Sequence, residues 1–262
     1  MPRNAAGPGR PARTPPGMIT RWCLAAMLGA PLPALAAALP AAAEARVQIV
    51  YDARLDAGCL PERGASAAAT AWQAELAERL EAYRHEWDTA WPRLRAATEA
   101  VTGQPFPARS FTARLTLCDT ASEAVPSSDT VIVNMRYALA SFTPTPVPLR
   151  YKVQTLYHEL LHEYLARWQP AASPMLEQQA EPSRRIRNHL HLFALEKAVL
   201  LHLGETDVLA QTIAIDSQLP GPYKRAWAIV NASDGEYLRY VAELSRAPPE
   251  PAPEPPAAAA SR

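Results

Sequence analysis

Tyr157-His158-Glu159-Leu160-Leu161-His162-Glu163 holds the pattern H-E-x-x-H inside a run that reads as one helix from Leu149 to about Trp168. Val153, Leu156, Tyr157, Leu160, Leu161 and Tyr164 recur at helical spacing and give an apolar stripe for a core. His158 and His162 are four apart, so they stand one above the other on one face, with Cβ atoms roughly 5–6 Å apart. That spacing lets two imidazoles grip one tetrahedral zinc ion. Glu159 is turned about 100° from His158. It flanks the metal, where it can accept a proton from a water that the metal activates. Without a metal, the same residues make a buried amphipathic helix that carries two histidines. The mid-helix position, the apolar stripe and the exported character of the chain favour the zinc site.

The 262 residues include 26 basic and 26 acidic side chains, so the net charge is zero and nothing points to nucleic acid or an anionic membrane. Arg3, Arg10, Arg13 and Arg21 precede an apolar stretch, Trp22 to Ala43, which Pro31, Pro33 and Pro40 interrupt. A signal peptide over residues 1–45 fits this better than a spanning helix, with small residues for cleavage after Ala43 or Ala45. The protein is then periplasmic or secreted, with no membrane span after signal removal. Cys23 lacks the flanking residues of a lipidation site. Cys59 and Cys118 remain, and an even count in an oxidising compartment permits one disulfide; two buried thiols are the alternative. From Ala247 the chain is Pro-, Glu- and Ala-rich and cannot bury a core, so residues 247–262 read as a disordered tail.

Between these segments, residues 46–246 are long enough for one domain with its own core. Arg46–Tyr51, Ser110–Leu117 and Thr130–Met135 read as strands, from alternation and β-branched content. Ala65 to about Val101 reads as helix, with Pro92 expected to kink or split it. His85 lies beside its apolar stripe and reads as a surface residue. Gln169–Ser183 reads as a connecting loop, followed by a strong helix from about Arg184 to His202 that Gly204 ends. Three further helical segments follow, at about Glu205–Ile215, Pro222–Asn231 and Gly235–Arg246. The expected fold class is α+β: a small N-terminal sheet, then the H-E-x-x-H helix and a mostly helical C-terminal part.

This order of elements, with H-E-x-x-H on a helix after the strands, resembles the zincin metallopeptidases. Leu165 and Trp168 stand where metzincins continue with glycine and histidine, so that branch does not fit. The chain is similar to gluzincins, which take a third ligand from a glutamate on a downstream helix, and to uncharacterised exported bacterial proteins with H-E-L-L-H. The resemblance rests on Thr155 to Leu200. It implies one zinc ion, a peptide or protein substrate, and a sheet edge that pairs with the substrate, for which Val131, Ile132 and Val133 are the candidates.

The third ligand is open among Glu177, Glu181, His189, His191 and Glu196. Glu181 has a gluzincin-like spacing from His162 but directly precedes Pro182. Glu196 lies in the apolar run Leu190 to Leu200, where a carboxylate needs a partner, and the reading favours it. His189 lies two turns earlier on the same face and can donate to the oxyanion of a tetrahedral intermediate, or sit outside the site. His202 suits the helix dipole, and Arg184, Arg185 and Arg187 read as a solvated basic face. The expectation is therefore an exported zinc peptidase with His158, His162 and Glu196 as ligands and Glu159 and His189 as catalytic residues. The alternative is a cell-envelope binding protein, with zinc or without, that kept the scaffold and lost turnover.

Overall fold

The computed structural model describes residues 45–60, 66–179, 183–219 and 221–246. The signal-peptide, Glu181 and C-terminal-tail readings lie outside these residues. The fold is α+β, a four-stranded sheet followed by a mostly helical remainder. β1 (Arg46–Tyr51) pairs in parallel with β2 (Ser110–Thr116), and β2 pairs in parallel with β4 (Thr130–Asn134). β3 (Glu123–Ala124) runs antiparallel to β4 and forms the edge, in the order β1-β2-β4-β3. This corrects the expectation for residues 131–133. They lie in an inner strand between β2 and β3, and the outer strands of the sheet are β1 and β3. Two residues without an alternating pattern leave no strand signature of their own; β3 exists because β4 offers it a ladder.

The register sets Ile49 opposite Ala113, Ala113 opposite Val131 and Leu115 opposite Val133. These side chains are buried and make one apolar face of the sheet. Helix α1 (Ala53–Ala57) follows β1, and helix α2 (Ser66–Thr102) runs for 37 residues. Pro92 sits inside α2 without splitting it. Its missing N–H faces the carbonyl of Asp88, and both residues are exposed, so solvent can take up the unpaired carbonyl. On the opposite face, Tyr83, Trp87, Trp91 and Leu94 enter the core.

Helix α3 (Leu149–Trp168) carries the H-E-x-x-H run and touches α2, β3, β4, α5 and α6. It is buried on nearly every side rather than along one stripe. Its tyrosines fix it to α2. The Tyr157 hydroxyl lies 2.7 Å from Thr98 Oγ1, and the Tyr164 hydroxyl 2.6 Å from Thr102 Oγ1. Each buried hydroxyl thus meets a partner at one rotation of the helix. The segment after α3, expected as loop, contains a short helix α4 (Pro174–Glu177), with Ser173 capping it through the Leu176 N–H.

Helix α5 (Arg184–His202) packs against α7 (Tyr223–Val230) and α8 (Glu236–Leu244), and α6 (Thr206–Asp216) joins α5 to α7. Phe193 stacks on Trp227 at 4.2 Å between ring centroids. Cys59 and Cys118 are joined in a disulfide with Cα atoms 5.6 Å apart. Beside it, the buried Asp56 carboxylate accepts from Thr116 Oγ1, the Leu117 N–H and the Tyr51 hydroxyl, tying α1 to the end of β2. No helix among the described residues is long and apolar enough to cross a membrane.

Candidate metal centre

His158 and His162 leave α3 one turn apart, with ring centroids 5.1 Å from each other. α5 brings His189 against both, at 5.5 Å from His158 and 5.3 Å from His162. One ring nitrogen from each of the three lies within 4.8 Å of the others. The second trio of candidate ligands, Asp56, Cys59 and Cys118, has both thiols in the disulfide and offers no thiolate.

Burial drives all three imidazoles toward the neutral form. It holds His158 well below the usual histidine range, reinforced by His162 and His189. It takes His162 to about 4, with His189 adding to the effect, and it lowers His189 against the pull of the Arg185 carbonyl. Neutral imidazole is the form with a lone pair for a metal. The tautomers follow from the neighbours. His189 Nδ1 lies 2.7 Å from the Arg185 carbonyl oxygen, so it carries the proton and leaves Nε2 bare. His158 Nε2 is buried with no partner, while its Nδ1 faces Glu196 Oε2 at 3.7 Å.

Glu196 is 1% exposed, and neither of its oxygens has a hydrogen-bond partner. Burial first, then Asp216 and Glu159, raise its pKa well above the carboxylate range. The sequence reading assigned the third ligand to Glu196, but the three side chains that converge are His158, His162 and His189. Glu196 is not in that trio and approaches His158 at Nδ1. The converging ring nitrogens form a donor set that a cation between the imidazoles would satisfy. The other candidates are elsewhere. His191 Nε2 is 2.9 Å from Glu243 Oε2, fastening α5 to α8, and Glu177 is exposed on α4. Arg184 and Arg185 are exposed, as expected, and Arg185 enters the site only through its carbonyl.

Glu159 is buried, and its Oε2 accepts from the Ala124 N–H of β3 at 3.1 Å. Burial raises its pKa to about 8, against the effect of that hydrogen bond. Glu159, His158 and Glu196 line a cavity of about 570 Å³ that also reaches Tyr223 at the start of α7. Tyr223 was not anticipated. Its ring lies 5.0 Å from that of His189 and 5.9 Å from that of His158, and burial pushes its pKa up to about 12. Only the packing of α7 against α5 brings it here, and no spacing along the chain signals it.

No protein-family model matches the chain, and neither a curated protein nor a solved structure matches it.

Proposed function

We propose that the protein is an exported zinc-dependent peptidase in which His158, His162 and His189 hold one zinc ion. The observation that carries this is the meeting of three imidazoles from two helices, His158 buried and His162 and His189 half-buried, beside a buried glutamate at a cavity. Three protein ligands and one open position form the usual catalytic zinc arrangement. When bound, the metal acts as a Lewis acid that polarises the substrate carbonyl and eases the ionisation of water.

The chain's own residues supply the rest. The Arg185 carbonyl holds the His189 ring, and Glu196 orients His158 from the Nδ1 side. Glu159 takes a proton from the attacking water and returns it to the departing amine. Its raised pKa makes it a stronger base than an exposed carboxylate, and the protonated form suits its dry setting. Tyr223, with a hydroxyl that stays protonated across neutral pH, donates to the carbonyl oxygen as charge gathers there.

Glu159→Gln tests the assignment, since the amide keeps the shape and cannot act as a base. The variant should retain zinc and lose hydrolysis by about 10²–10⁴-fold. Hydrolysis at the wild-type rate in this variant would refute the role of Glu159. A zinc-loaded wild type that cleaves nothing in a diverse peptide library would replace the peptidase with the binding-protein reading.

A further inference from the structure

The cavity lined by His158 and Glu159 continues along α3, past Gln154 to Lys152. Among the described residues that line it, Lys152 is the single lysine or arginine. It is 5% exposed, and its ammonium makes no hydrogen bond or ion pair with any described residue. Gln154 is 2% exposed, its Oε1 is buried without a partner, and its amide donates no hydrogen bond among the described residues. The Lys152 ammonium therefore lacks the acceptor that a buried cation ordinarily has, and Gln154 can donate to an anion through its amide nitrogen, not through the orphaned oxygen.

Three of the four acidic residues of the same cavity are already engaged. Asp216 accepts from the Tyr151 hydroxyl at 2.7 Å and from Trp227 Nε1 at 2.9 Å. Asp119 pairs with Arg136 and Glu159 accepts from the Ala124 N–H, while Glu196, without a hydrogen-bond partner, stands at the His158 end of the cavity. The Lys152 ammonium feels the charge of Asp216 and lies over the Tyr151 ring, yet it has no hydrogen-bond acceptor, and a ligand carboxylate would supply one. Lys152 lies six residues before His158, about 9 Å along the helix axis. The intervening wall carries Val147 and Ile215, and the exposed Tyr137 and Leu219 border the cavity. That lining suits a short methylene stem with a charged end.

We propose that Lys152 and Gln154 form a carboxylate-binding subsite, so that the ligand is a peptide with an acidic group close to the bond at the metal. As a statement about substrate, this rests on the peptidase reading; as a statement about anion binding, it does not. The carboxylate can come from a glutamate side chain or from a chain terminus, and two probe pairs separate these sources. N-acetyl-glutamate α-amide is compared with N-acetyl-glutamine amide, and N-acetyl-alanine with N-acetyl-alanine amide, by calorimetry on the full chain.

In at least one pair the acid should bind about tenfold or more tightly than its amide, as a charge-assisted hydrogen bond provides. Lys152→Met should erase that preference, and Lys152→Arg, which keeps the charge, should retain most of it. Equal binding of acid and amide in the wild type overturns the proposal, with no variant needed. So does a preference that survives Lys152→Met, which would place the carboxylate on the metal instead. Cleavage of peptides with Glu or Gln beside the scissile bond then separates the two claims. Lys152-dependent acid binding without cleavage keeps the subsite and refutes the peptidase, while cleavage without any acid preference does the reverse.

Discussion

Replacing Glu196 by glutamine separates a metal ligand from a group that acts through one. Glu196 is 1% exposed, and its Oε2 lies 3.7 Å from His158 Nδ1. If it only orients His158, Glu196→Gln should weaken zinc binding about 10–100-fold. At about 1.4 kcal/mol per decade this is roughly 1.4–2.7 kcal/mol. His189→Ala should be far more severe, because it leaves two histidines where a zinc site needs three protein ligands. Competition titrations against a chromophoric chelator measure both. A second consequence concerns the metal-free protein. Burial raises the folded pKa of Glu196, so ionising it becomes unfavourable as pH rises above the unfolded value. The glutamine variant should therefore melt higher than the wild type at pH 8 and gain little at pH 5. If Glu196→Gln loses its zinc entirely while His189→Ala keeps a stoichiometric ion, the reasoning fails and Glu196 is the third ligand.

Tyr223→Phe should keep zinc and lower kcat by about 10²-fold, the scale of one oxyanion donor, with a smaller effect on KM; steady-state kinetics on a cleaved peptide decide this. In the metal-free protein, melting temperature should fall between pH 6.5 and 8. There Glu159, raised to about 8, stays protonated when folded and ionises when unfolded, so folding takes up a proton. Below pH 6.5 the buried histidines act in the opposite sense, because His162, lowered to about 4, binds its proton only when unfolded. A melting temperature that is flat or rising from pH 6.5 to 8 would contradict the burial of Glu159. Removing the Cys59–Cys118 bridge by a double serine substitution should cost about 2–5 kcal/mol in denaturant unfolding, and an unchanged midpoint would show that the bridge carries no constraint.

The parts of the fold that depend on neighbours along the chain were readable from the sequence. The pairing of His158 with His162 on α3 follows from a four-residue step, and β1, β2 and β4 follow from alternation and β-branched content. The parts that depend on how helices pack were not. His189 and Glu196 lie two turns apart on one face of α5, and both are plausible partners for the pair on α3. Which end of that face meets the histidines depends on how α5 lies against α3, which no residue of α5 encodes alone. The same holds for Tyr223, delivered by α7, and for β3, whose two residues form a strand only because β4 lies beside them. Pro92 does not split α2, because its cost depends on whether the unpaired Asp88 carbonyl faces water, and exposure is a property of the folded chain.

The most direct test of the central claim is X-ray absorption at the zinc edge on the purified protein. Three imidazole nitrogens at about 2.0–2.1 Å and one light-atom position open to solvent are expected, with the imidazole count falling in His189→Ala. A spectrum with two imidazoles and a carboxylate that disappears in Glu196→Gln, or a wild-type protein that takes up no stoichiometric zinc, would contradict the three-histidine centre.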